Sequence, residues 1–150
     1  HSMIANSRRE GFERAMHEAG VPIEPRNVIE IGFSQSDGYV AGRYFAKLET
    51  LPTAICCAND QVALGLLAAM QERGVRIPEQ VSVTGMDDIP YARISNPSLT
   101  SVTNDSVAFA REGVRMLFER IEGVVTSGPR DVVIRHELIV RSSVSVPREA

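Results

Sequence analysis

The sequence predicts an α/β fold, a parallel sheet flanked by helices, on three observations. Apolar runs at residues 28–33, 53–58 and 81–85 have the length of short buried strands. Helical patterns separate them, and strands alternating with helices build right-handed crossovers in a parallel sheet. Each run ends in a polar turn, at Ser34, at Asn59-Asp60 and at Asp87-Asp88. The clearest unit is the stretch from Pro52 to Asp88, a strand, a helix and a second strand with acceptors at two strand ends.

With 150 residues and 43% hydrophobic content the chain matches one domain able to bury a core. A net charge of -3 leaves no basic footprint for nucleic acid or an anionic membrane surface, so any DNA contact must be made elsewhere. Cys56 and Cys57 are adjacent in an apolar strand. Their side chains point to opposite faces and should not form a disulfide together, and buried free thiols fit a reducing, cytoplasmic setting. No apolar run approaches the roughly 18 residues of a membrane span. Residues 1–3, His1-Ser2-Met3, read as a vector-derived leader, which makes 4–150 the expected piece of a larger protein.

In chain order, Ser7 and Glu10 have capping-box spacing and predict a helix start. Phe12, Ala15, Met16 and Ala19 mark its expected buried face, and Gly20 and Pro22 its end. Arg8 then falls in the first turn, where a cation opposes the helix dipole; a solvated side chain is the simplest account. After the strand at 28–33 the turn Ser34–Asp37 leads into a helix expected over 38–49, with Tyr39, Val40, Tyr44, Phe45 and Leu48 forming its covered face. The helix at 60–73 is apolar nearly all round, which requires burial on more than one side. Neighbouring helices or a second subunit could supply that cover. The stretch after Asp88 is irregular, residues 99–102 are extended, and the helix at 105–122 is strongly amphipathic, with Val107, Ala110, Val114, Leu117, Phe118 and Ile121 on one face. Residues 132–134 and 138–140 read as extended.

Parallel sheets bind ligands outside the carboxyl ends of their strands. That rule nominates Phe33 with Ser34, Asn59 with Asp60, and Asp87 with Asp88 on one rim. Together they offer an aromatic face, an amide and carboxylates, suited to sugar hydroxyls or to a nucleobase. Asn59, Asp60 and Asp87 also suit plain capping and turn roles, which for Asp60 is the preferred reading. Catalytic patterns are thin. His17 and His136 lie near no nucleophile, and no Gly-rich phosphate loop, Cys-pair metal site or HExxH motif occurs. Asp37, Asp60, Asp87 and Asp88 lack the lysine or Gly-rich loop that would accompany magnesium in a phosphotransfer site.

Arg8-x-x-Gly11-Phe12, Gly38-Tyr39, the whole stretch PTAICCANDQVALGLLAAMQERGVRIPEQVSVTGMDD, NPSLTSV and the closing IVRSSV resemble the C-terminal half of the effector-binding domain of LacI/GalR-family transcriptional regulators. The resemblance covers essentially the whole chain after residue 3. It implies a type I periplasmic-binding-protein-like core of two lobes with a small effector in the cleft, a sugar or sugar derivative first and a purine second. It implies that Arg8, Phe33, Asn59 and Asp87 contact the effector, with Phe33 stacking. It further implies a homodimer in which Ala63, Leu66, Leu67 and Met70 face the partner, and a DNA-binding helix-turn-helix outside this chain. Residues 104–130 would belong to the other lobe, leaving the apolar face of that helix without its usual cover. No cofactor, metal or enzymatic activity is implied. A lobe of a periplasmic sugar-binding transport protein is the alternative, disfavoured because such receptors commonly work as monomers.

Overall fold

The computed structural model describes residues 3–147, with side chains from residue 6. Its elements run α1 (Met3–Glu18), a 3₁₀ turn (Pro25–Asn27), α2 (Gln35–Phe45), β1 (Ala54–Cys56), α3 (Asp60–Gln71), β2 (Ser82–Asp87), α4 (Pro90–Ile94), β3 (Thr100–Thr103), α5 (Ser106–Ile121) and β4 (Leu138–Ile139). The sheet has the order β1-β2-β3-β4. Ile55 pairs with Val83 and Gly85 with Ser101 in parallel ladders, while β4 closes the edge antiparallel to β3. The βαβ unit read from Pro52 to Asp88 is therefore present, and β3 extends its parallel sheet by one strand.

The core lies where α3 rests on β2 and α2 packs against α3. The close approach of the two helices depends on missing side chains. A Cβ on Gly38 would lie 2.0 Å from the Val62 carbonyl oxygen, and one on Gly65 1.9 Å from that of Gln35. The covered face of α2 is accordingly Gly38, Ala41, Gly42 and Phe45; of the row expected, Phe45 is buried and Tyr39 and Leu48 are half-buried. Val40 and Tyr44 are exposed, and Tyr44 Oη donates to the Arg26 carbonyl.

This packing corrects the expected partner face. Ala63, Leu66, Leu67 and Met70 are 0, 1, 3 and 0% exposed within the single chain. Side chains enclosed by their own α2 and sheet have no surface left for a second subunit. Most of the apolar surface of α3 is satisfied internally, and Leu64 and Ala68 stay half-buried.

Other elements also depart from expectation. Helix α1 begins at Met3, so Ser7 lies inside it and does not cap it; His1 and Ser2 lie outside the described residues. Its expected buried face is open, with Phe12 38% exposed. Residues 28–32 keep a strand's alternation, Ile29 and Ile31 packing on the core while Val28 and Glu30 face out, but join no ladder, and Phe33 is exposed out of that pattern. Helix α2 starts three residues earlier than expected because Ser34 and Asp37 form a capping box ahead of it. Cys57 is buried and Cys56 exposed, on opposite sides of β1, so only one thiol is enclosed. Residues 132–134 form no strand. Helix α5 matches the predicted span within a residue at each end, yet none of its residues is buried.

Candidate functional site

Three side chains nominated from sequence, Arg8, Asn59 and Asp87, lie together at the carboxyl ends of β1 and β2, and Phe33 is tied to them through its backbone carbonyl. Arg8, projecting from α1, donates through Nη1 to the Ala58 carbonyl at 2.6 Å and through Nη2 to Asp87 Oδ1 at 3.0 Å. With α1 starting at Met3, Arg8 stands in the second turn, and the unfavourable dipole that singled it out is reduced. Its pairing with Asp87 gives the side chain a specific partner; both groups are about a quarter exposed, at 23 and 28%. Asn59, beside Ala58, donates through Nδ2 to the Phe33 carbonyl at 3.1 Å and accepts the Val62 amide on Oδ1 at 2.8 Å. A continuous chain of contacts thus runs from Phe33 through Asn59 and Ala58 to Arg8 and Asp87.

Asn59 therefore does double duty. It is the N-cap of α3, the role preferred in sequence for Asp60, while still standing on the rim. Asp60 is fully buried and accepts from the Ile89 amide and the Ser101 hydroxyl. Burial pushes its carboxyl up from the ordinary range, and the two hydrogen bonds pull the other way. Asp88 is drawn aside by Arg141 at 2.5 Å and Arg93 at 3.1 Å. Burial alone would raise its carboxyl, but these arginines together hold it below the ordinary range. Asp37 is occupied at its capping box with Ser34, which holds its carboxyl low. The four aspartates thus have separate employments, and among the described residues no group of three metal-ligating side chains forms.

Asn104 went unnominated. Its Nδ2 lies 3.4 Å from Asp87 Oδ1, because β3 runs parallel to β2 and its carboxyl end reaches the same rim. The strand-end rule applied to residues 99–102 would have found it.

Chemically, the rim presents a carboxylate with Oδ2 unbonded among the described residues, a guanidinium with donors to spare, an amide and the half-exposed ring of Phe33. That set can accept hydrogen bonds from hydroxyl or ring N–H groups, donate to ring oxygens or carbonyls, and stack a flat or C–H face.

A mostly parallel sheet with polar groups at its strand ends has the architecture in which ligands commonly sit at the carboxyl edge. The chain belongs to the periplasmic binding protein-like domain family, matched over residues 1–144. The HTH-type transcriptional repressor PurR of Haemophilus influenzae is 42% identical over 144 residues, a match covering 93% of this chain and 42% of that protein. PurR of Pasteurella multocida is 41% identical over 141 residues, with the same shares covered. Among solved structures, a LacI-type transcription regulator from Bifidobacterium animalis subsp. lactis superposes with a TM-score of 0.84 at 35% identity, covering 93% of this chain and 50% of that one. The transcriptional regulator CelR, solved as a cellobiose complex, gives 0.83 at 31% identity, covering 91% and 41%. These likenesses identify the segment as part of a LacI-family effector-binding domain. It spans less than half the length of the curated relatives.

Proposed function

We propose that this chain is the second lobe of the effector-sensing domain of a LacI-type repressor, cytoplasmic and non-enzymatic, whose operator contacts are made by a helix-turn-helix outside the segment. The observation that carries it is the Arg8–Asp87 pair beside Asn59 and Phe33 at the strand ends. Its effector is a small polar ring compound, a sugar or sugar derivative or else a purine. Cellobiose in CelR supports the first class for a relative of this fold. The relatives, transcriptional regulators, favour the repressor reading over a transport receptor. Calorimetry of the intact protein against sugars and purine bases is the test. Asp87→Ala should weaken binding at least ten-fold, and unchanged affinity would remove Asp87 from the site.

Two further parts of the proposal rest on exposed surface. Residues 104–130 belong to the other lobe, supported by α5 showing Val107, Val114, Leu117, Phe118 and Ile121 at 54–69% exposure. The homodimer uses α4 and the flank of α3 beside it. Asp60 holds the Ile89 amide and Gln71 the Asn96 carbonyl, so the segment carrying α4 is tied to α3 on either side of that helix. Leu64 and Ala68 are half-buried there, and Tyr91 and Ile94 are 65 and 76% exposed. Ile94→Glu should shift the intact protein to monomer in sedimentation; an unshifted dimer would refute this face.

A further inference from the structure

Resting on the effector role proposed for Asp87, we infer that Asp60 and Ser101 are positioning residues that aim the Asp87 carboxylate into the site. Asp87 has φ 109° and Asp88 φ 46°, both in the region that residues with a Cβ rarely occupy. Such a conformation persists only where the surroundings hold it. Here they do so through backbone amides. Ser101, fully buried on β3, accepts the Asp88 amide on its hydroxyl oxygen at 3.1 Å and donates that hydroxyl to Asp60 Oδ1 at 2.6 Å. Asp60 Oδ2 accepts the next amide, Ile89, at 2.9 Å.

The two amides directly after Asp87 are therefore tied to a buried acid and a buried hydroxyl from two other elements. Arg141 completes the grip by holding the Asp88 carboxylate at 2.5 Å and the Leu99 carbonyl at 2.7 Å. With Asp88 drawn to that side, the Asp87 carboxylate is left facing Arg8 and Asn104. The strand makes room for the clamp: a Cβ on Gly85 would lie 2.2 Å from Asp60 Oδ1. Burial of the Asp60 carboxyl is unfavourable to its charged form. An apolar residue would avoid that burden but could accept neither Ile89 nor Ser101.

The test compares Ser101→Ala and the near-isosteric Asp60→Asn in the intact protein, with guanine and cellobiose as calorimetric probes. Amide hydrogen exchange is followed in parallel. Both variants should speed exchange at Asp88 and Ile89 at least ten-fold while Val83 in the core of β2 keeps its protection. A residue needed only for the fold would loosen Val83 as well. Binding of whichever probe the wild type takes up should weaken about ten-fold. Unchanged exchange at both amides, or equal loss of protection throughout β2, overturns the clamp. If Asp87→Ala loses binding while the two clamp variants bind as wild type, the clamp is refuted and the site stands. If Asp87→Ala binds as wild type, the site itself is refuted, and the exchange measurement, which needs no effector, still decides whether the turn is clamped.

Discussion

Helices α3 and α5 are both rich in apolar residues, and the fold treats them in opposite ways. Leu66 and Met70 of α3 are 1 and 0% exposed, while Leu117 and Phe118 of α5 are 56 and 54% exposed. Helix α3 is the more apolar of the two, but the apolar face of α5 needs cover as well; what separates them is where the cover comes from. The cover of α3 comes from α2 and β2, its neighbours along the chain, and α2 reaches it because Gly38, Gly42 and Gly65 let the two backbones approach. Nothing near α5 in sequence offers a matching surface, and no residue of it is buried. An apolar stripe shows which side of a helix needs a neighbour, but not which part of the protein supplies one.

The contrast is broken most directly by truncating one leucine on each helix. Leu66→Ala should cost about 2–5 kcal/mol, the lost transfer energy plus a cavity, read from urea unfolding of the 150-residue chain. Leu117→Ala should change stability by less than about 0.5 kcal/mol, as at other exposed positions. A comparable loss at both sites would mean that α5 is covered in solution. Gly65→Ala should match the first class at about 3 kcal/mol, because its Cβ cannot fit beside the Gln35 carbonyl.

Charged groups sharpen the contrast at smaller magnitude. Asp88, nearly enclosed at the end of β2, is held below its ordinary value of 3.8 because Arg141 and Arg93 outweigh the effect of burial. A carboxyl depressed in the folded state stabilises above its unfolded value and loses that contribution as pH falls through its folded one. Asp88→Asn should therefore cost on the order of 1–2 kcal/mol near neutral pH, and the difference from wild type should shrink below about pH 3.8. Asp60 has the opposite sign: burial raises it, so its contribution is greatest at low pH and is lost as pH climbs through its raised value. On α5 the Glu112–Arg115 pair lies on a helix with no buried residue, Arg115 half-exposed and Glu112 a quarter exposed, and Glu112→Gln should move the unfolding curve less than Asp88→Asn does. Unfolding midpoints measured from pH 2.5 to 7 separate the three; a Glu112 effect as large as that of Asp88 would contradict the assigned exposure.

Much of the site was legible because the strand-end rule needs only strand order and direction. It led to Asn59 and Asp87 at the ends of β1 and β2, whereas Phe33 follows a segment that joins no ladder; the odd position of an arginine pointed to Arg8. The division of labour was not legible. Asn59 and Asp60 offer the same capping chemistry one residue apart, and only the three-dimensional course of β3, which brings Ser101 to Asp60, decides between them. The left-handed backbone of Asp87 and Asp88 has no sequence mark, since aspartate is ordinary in turns. The buried face of α2 was misjudged for a related reason. Periodicity weighs large side chains, whereas α2 meets α3 through glycine and alanine.

A stabilising substitution tests that last point from the opposite direction. Gly113 lies in the middle of α5, and a Cβ there would meet nothing within 4 Å. Its φ is not left-handed, so alanine is compatible with the backbone and should restrict the unfolded chain while raising helix propensity. Gly113→Ala should stabilise the chain by about 0.4–1 kcal/mol, or raise its melting temperature by a few degrees at this size. The same exchange at Gly65 destabilises, so two glycines in two helices of one chain should respond with opposite signs. If Gly113→Ala proved destabilising, a close neighbour would have to lie against α5, and the contrast between the covered and uncovered helices would fail at the point where it is most sharply drawn.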